Sequence, residues 1–158
     1  MTKFRGRQRK VMAPNRYTEL FFLDEVTALA AGHRPCFECR RADAKKYAAA
    51  FPEGPLPADD MDHVLHRERC VSGGPRPVLG RSEAESLPAG SMFANGNACF
   101  AVGPKDLLRW QYSGYTPVDR SEAVTLLRHG GLKLLTPRST VEALKGGFTP
   151  LFHPSAIS

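Results

Sequence analysis

The sequence predicts an α+β fold: a single domain over residues 1–158, with an N-terminal strand and short helices around a C-x2-C knuckle, then a mostly antiparallel β half. Three observations carry this. Short apolar stretches at helical spacing dominate residues 1–70, with a proline- and glycine-rich loop over 71–90. Residues 91–158 change to alternating and β-branched runs around Asn95-Gly96, a dipeptide suited to a tight hairpin turn. Finally, 158 residues with 42% hydrophobic content suffice for one sizeable core.

Taken in order, residues 3–12 read as one basic strand, which would put Lys3, Arg5, Arg7 and Arg9 on one face. Thr18 to Phe22 continue as a short strand. Asp24 to Ala31 read as a helix opened by acidic residues and closed by Gly32. A second helix is expected from Arg41 to Ala50 and a third from Asp59 to Arg69, with acidic residues in its first turn. Arg81 to Gly90 read as loop or short helix. Ser91 to Val102 form the hairpin, and Leu107–Tyr112, Ala123–Leu127 and Gly131–Leu135 are strand candidates. A last helix starts near Ser139, which stands in capping-box spacing with Glu142 and ends at Gly146-Gly147.

The pattern V-x-A-L-x-x-G-x-x-P-x-F occurs twice, at Val26 to Phe37 and at Val141 to Phe152. Each copy predicts a short helix burying Val and Leu, a left-handed glycine cap and an extended exit at the proline. Only the first copy carries Cys36 and Cys39, so the scaffold does not require them.

Four cysteines are present, two of them in C-x2-C spacing. With no charged-then-apolar leader, reduced thiols or metal fit better than disulfides, and a cytoplasmic location is expected. Apolar runs such as Leu20-Phe21-Phe22-Leu23 fall short of the roughly 18 residues of a membrane span. Two thiolates at this spacing converge on one tetrahedral ion, zinc above all, and a closed site needs two more ligands. His63 and His66, with Asp62 and Cys70 nearby, are the candidates, since positions 63, 66 and 70 share a helix face. The expected metal set is Cys36, Cys39, His63 and His66.

The net charge of +6 points to an acidic partner. Arg5, Arg7 and Arg9 form one basic cluster; Arg34, Arg40 and Arg41, with Lys45 and Lys46, form another around the knuckle. Both suit phosphate, and DNA is the favoured nucleic acid. Phe4, Tyr17, Phe21, Phe22, Phe37 and Tyr47 are aromatics on this half that can stack on bases, although most are expected in the core.

The string from Leu23 to Cys39, with A-A-G-H-R-P-C-F-E-C at its end, resembles the second half of the zinc-binding domain of the Ada DNA-repair protein family. The resemblance implies that Cys36 and Cys39 are two of four zinc thiolates. It does not extend to the family's methyl-accepting pair, because residues 1–35 hold no cysteine. The run from Tyr17 to Arg41 is also similar to uncharacterised small bacterial proteins. Together these readings give a small zinc-binding, nucleic-acid-contacting, non-catalytic protein. Two alternatives belong to other classes. Asp62-His63, Gly73-Gly74 and Asn95 or Asn97 follow the order of an HNH-like metal-dependent endonuclease with His63 as general base. A metal-free structural or interaction protein with reduced thiols is the other.

Overall fold

The computed structural model describes residues 3–4, 7–8, 20–52, 54–69 and 76–157. Two short strands, β1 (Lys3–Phe4) and β2 (Arg7–Gln8), precede three helices, α1 (Glu25–Ala30), α2 (Arg41–Ala49) and α3 (Ala58–Arg69). After α4 (Arg81–Glu85) come β3 (Met92–Asn95), β4 (Ala98–Val102), β5 (Leu107–Gln111) and β6 (Gly114–Pro117). The chain then forms α5 (Arg120–His129), β7 (Lys133–Leu134), α6 (Arg138–Lys145) and a 3-10 turn at Pro154–Ala156. The class is α+β, with helices leading and a five-stranded antiparallel sheet in the order β6-β5-β4-β3-β7 following. No helix among the described residues is long and apolar enough to cross a membrane.

Both faces of the sheet are buried, and the period of two divides its side chains between them. Phe93 and Phe100 are cross-strand partners whose rings stack at 5.6 Å on one face. There they meet Leu79, Leu87, Leu132 and Val141, with Ala123, Leu126 and Leu127 of α5 packed alongside. Their neighbours Met92 and Ala101 point the other way, onto Val26 and Ala30 of α1 and onto Leu108 and Tyr115. A helical core gathers Leu29, Tyr47, Phe51, Met61, Leu65, Leu144 and Phe148. Each fully buried side chain of this size contributes roughly 1.5–3 kcal/mol. Helices α1 and α6 each place residues in the helical core and in a sheet core, and so tie the two together.

The two copies of the repeated pattern fold alike. Gly32 and Gly147 both take positive φ, at 82° and 97°. His33 N–H donates to the Ala28 carbonyl at 2.9 Å and Phe148 N–H to the Ala143 carbonyl at 3.1 Å, the same capping bond at the same position. Val26, Leu29, Val141 and Leu144 are all buried.

Several expectations are corrected. The basic strand over 3–12 is a pair: Lys3 is in register with Gln8 and Phe4 with Arg7, so the chain reverses within it. Residues 9–12 lie outside the described residues, as do Thr18 and Glu19, while Leu20 to Phe22 are irregular. Ala123–Leu127 is the middle of α5, because the Asp119 carboxylate accepts from Ser121 N–H at 2.8 Å and starts a helix whose Ala123, Leu126 and Leu127 share a face. Asn95 pairs with Ala98, so the hairpin turn is Gly96-Asn97, one residue later than expected. Strand β6 was not anticipated. The capping box at Ser139 and Glu142 does not form; instead Glu68 of α3 accepts from Ser139 N–H at 2.9 Å and from its hydroxyl at 2.6 Å.

Two outcomes follow for stability. Glu68→Ala should lower the unfolding free energy by about 1–2 kcal/mol, read as a lower denaturant midpoint with unchanged slope, because the α6 N-terminus loses its acceptor. The second concerns alkaline pH. Burial raises the phenols of Tyr47 and Tyr115 well above their usual range, and the Asp24 carboxylate raises Tyr115 further. The folded state thus keeps protons that the unfolded state releases near pH 10, so this stability is present below about pH 10 and is lost as pH rises beyond it. Denaturant midpoints at pH 8 and 11 should fall less in the Tyr47→Phe, Tyr115→Phe double variant than in the parent; equal falls would contradict it.

Candidate metal centre

The knuckle hangs from the end of α1, and α1 is fixed at its start. The Asp24 carboxylate accepts from Thr27 N–H at 2.9 Å, while the Thr27 hydroxyl accepts from Asp24 N–H at 3.2 Å. The same carboxylate accepts from the Tyr115 hydroxyl at 3.1 Å and from His153 N–H at 3.0 Å. Glu25 holds the neighbouring residue, accepting from Leu151 N–H at 2.9 Å.

Past Gly32 the chain passes through buried Pro35 and turns at Cys36 to Cys39. Arg40 N–H donates to the Cys36 carbonyl at 2.9 Å, which closes the turn directly before α2. Glu38 N–H donates to Cys36 Sγ at 3.4 Å. Burial pushes the Cys36 thiol up, but the N–H groups of Cys39 and Glu38 and the Cys39 thiol all bond its sulfur, and the net displacement is downward. Cys39 is raised, first by burial and then by its bond to Cys36. The two sulfurs therefore bond each other, with backbone donors and a helix N-terminus behind them, a setting that favours thiolate at Cys36.

A brace supports this turn. Arg34 Nη2 meets Asp62 Oδ2 of α3 at 2.8 Å, and the guanidinium lies 5.3 Å from the Phe37 ring centre. Arg40 bonds Asp43 at 2.9 Å and reaches Glu25 at 3.5 Å. Burial, then the charge of Arg69, holds the His33 imidazole below its usual range, while the Phe22 ring lies 5.0 Å away. The Arg34–Asp62 pairing has no local sequence signal, since the two are 28 residues apart.

The other expected ligands, His63 and His66, lie on α3. Among the described residues, no three His, Cys, Asp or Glu side chains gather at one point, so Cys36, Cys39, His63 and His66 do not close a four-ligand set in this structure. The reason lies in α3. It turns Met61 and Leu65 to the core, leaving His63 and His66 exposed. Asp62 is held by Arg34. Cys70 lies outside the described residues, and burial raises the half-buried Cys99 on β4.

Of the residues in the endonuclease order, Asp62 and His63 lie on α3. Asn95 and Asn97 sit at the tip of the β3–β4 hairpin, where Asn95 lines an open cavity of about 330 Å³ with Ser121, Glu122, Thr125 and Leu126 of α5. Gly73 and Gly74 lie outside the described residues. Of the proposed phosphate contacts, Arg5 and Arg9 also lie outside them, and Arg7 belongs to β2. Arg34 and Arg40 are engaged by carboxylates, whereas Arg41, Lys45 and Lys46 of α2 are exposed. Comparison of the chain with protein-family models, curated proteins and solved structures gives no match.

The Arg34–Asp62 pair is half open, with side-chain exposures of 15% and 52%, so its coupling in a double-mutant cycle should be below about 1 kcal/mol. Arg34→Ala should nevertheless destabilise more than Asp62→Ala, because Arg34 also covers Phe37. Equal losses would remove the packing role.

Proposed function

We propose that this protein binds zinc through Cys36 and Cys39 and uses the basic surface beside that centre to contact nucleic acid, DNA in the first instance, without catalysing a reaction on it. The observation that carries the reading is the turn itself: adjacent sulfurs, with Glu38 N–H directed at Cys36 Sγ at 3.4 Å and α2 starting immediately after. A pair of sulfur ligands in that setting suits a soft, tetrahedral cation, whose binding would displace the remaining thiol proton. Zinc there would fix the start of α2, and with it Arg41, Lys45 and Lys46.

Charge supports the second half of the reading. Arg34 and Arg40 spend their guanidinium groups on bracing the knuckle, which leaves the exposed cations of α2, with Arg67 and Arg69 of α3, to meet phosphate. The net charge of +6 adds a general attraction.

Protein purified without chelator should retain zinc, and Cys36→Ser or Cys39→Ser should release it; parent protein without zinc under reducing conditions would overturn the metal. For DNA, affinity should fall with salt at a log–log slope of about −0.9 per phosphate contact, and replacing Arg41, Lys45 and Lys46 by Ala should flatten that slope. Absence of binding at low salt would overturn the nucleic-acid reading. Cleavage that requires Mg²⁺ and is lost in His63→Ala would overturn the non-catalytic one.

A further inference from the structure

Cys36 and Cys39 stand in a turn that Arg40 N–H closes on the Cys36 carbonyl at 2.9 Å. Their thiols hydrogen-bond each other, and Glu38 N–H donates to Cys36 Sγ at 3.4 Å. Residues at this spacing in one helical turn lie about 5–6 Å apart at Cβ. A disulfide needs an S–S distance of about 2.05 Å and Cβ atoms about 3.5–4.5 Å apart. Rotation of the two side chains and a small closure of the turn therefore take these sulfurs from contact to a bond.

The two sulfurs differ in access. Cys36 is exposed, and Cys39 beside it is only partly so. An oxidant arriving from solvent meets Cys36 first, and the sulfur it modifies then has Cys39 within reach as an internal nucleophile. The turn is braced on both sides, by Arg34 on Asp62 before it and by Arg40 on Asp43 and Glu25 after it. That bracing holds the pair together ahead of any reaction, so the closing step has little orientational freedom to remove. Cys99, half-buried on β4, lies outside this turn and serves as an internal control.

We propose that Cys36 and Cys39 form a reversible dithiol–disulfide pair oxidised by hydroperoxides, with Cys36 as the attacking sulfur and Cys39 as the resolving one. With hydrogen peroxide, the Cys36 sulfur attacks one oxygen and the O–O bond breaks. The other oxygen leaves as water with the Cys36 proton, and Cys36 becomes a sulfenic acid. The Cys39 sulfur then attacks the sulfenic sulfur; the S–S bond forms, the S–O bond breaks, and the hydroxyl leaves as water with the Cys39 proton. The two thiols lose two electrons and two protons, and one peroxide becomes two waters. A dithiol reductant reverses the change by thiol–disulfide exchange. Because a disulfide has no thiolate to give a metal, oxidation and zinc binding at this pair exclude each other. The oxidation itself does not rest on the zinc reading, since zinc-free thiols follow the same route.

The test treats the full reduced chain, freed of metal by chelation, with a small excess of hydrogen peroxide, then alkylates it and reads intact mass and peptide maps. Of the four cysteines, two should escape alkylation, joined as Cys36–Cys39, while Cys70 and Cys99 carry the label; dithiothreitol should restore all four. Cys39→Ser should accumulate a Cys36 sulfenic acid that dimedone traps. Cys36→Ser should lose peroxide-reactive thiol about tenfold more slowly than the parent, or more slowly still. Four alkylated cysteines after peroxide, or a disulfide from Cys36 or Cys39 to Cys70 or Cys99, would overturn the pair. A Cys36→Ser chain that reacts as fast as the parent would overturn the order of attack. The same peroxide added to protein loaded with zinc chloride should release the metal in step with thiol loss. A chain that closes the disulfide but never holds zinc would overturn the zinc reading alone, and one that holds zinc but closes no disulfide after chelation would overturn this proposal alone.

Discussion

The Asp24 carboxylate is the joint on which the arrangement depends. It caps α1 through Thr27, takes the Tyr115 hydroxyl from β6 and takes His153 N–H from the C-terminal segment. Three parts of the chain that are distant in sequence thus meet at one side chain. Charged acceptors make hydrogen bonds of roughly 1.5–3 kcal/mol, so the joint is strong for its size. Because α1 is held at its first residue and buried along Val26, Leu29 and Ala30, its last residue has a fixed place too. The knuckle begins there.

That rigidity gives the two cysteines their meaning. The repeated pattern shows what the scaffold needs: the second copy, ending at Pro150 and Phe152, makes the same helix, the same glycine cap and the same exit with no thiol at all. Its exit segment pairs back on the first copy, with Glu25 N–H donating to the Leu151 carbonyl at 3.2 Å. One copy serves as support, and the other presents Cys36 and Cys39 at the surface. The arginines around them act inward, as braces for the turn, before any charge is offered to a partner.

What was legible in the sequence follows from how local each signal is. The bounds of α1, α2 and α3 came within one residue, because Asp24 with Thr27, Gly32 and the acidic first turn of α3 are signals read within a few positions. The turn at Cys36 and Cys39 was legible for the same reason. The apolar run Ala123 to Leu127 misled, since so short a run fits either period, and the cap at Asp119 decides it. Ser139 has a capping box in its sequence but bonds Glu68, 71 residues away, which no spacing rule contains. Tyr115 and Asp24 are 91 apart. The surroundings of the site were hidden because they are built from such distant pairs.

X-ray absorption at the zinc edge of the purified protein tests the central claim most directly, since it reads the atoms bound to the metal. A first shell of sulfur at about 2.3 Å is the expected result. A shell of nitrogen and oxygen alone, at about 2.0–2.2 Å, would contradict it, because Cys36 and Cys39 would then hold no metal.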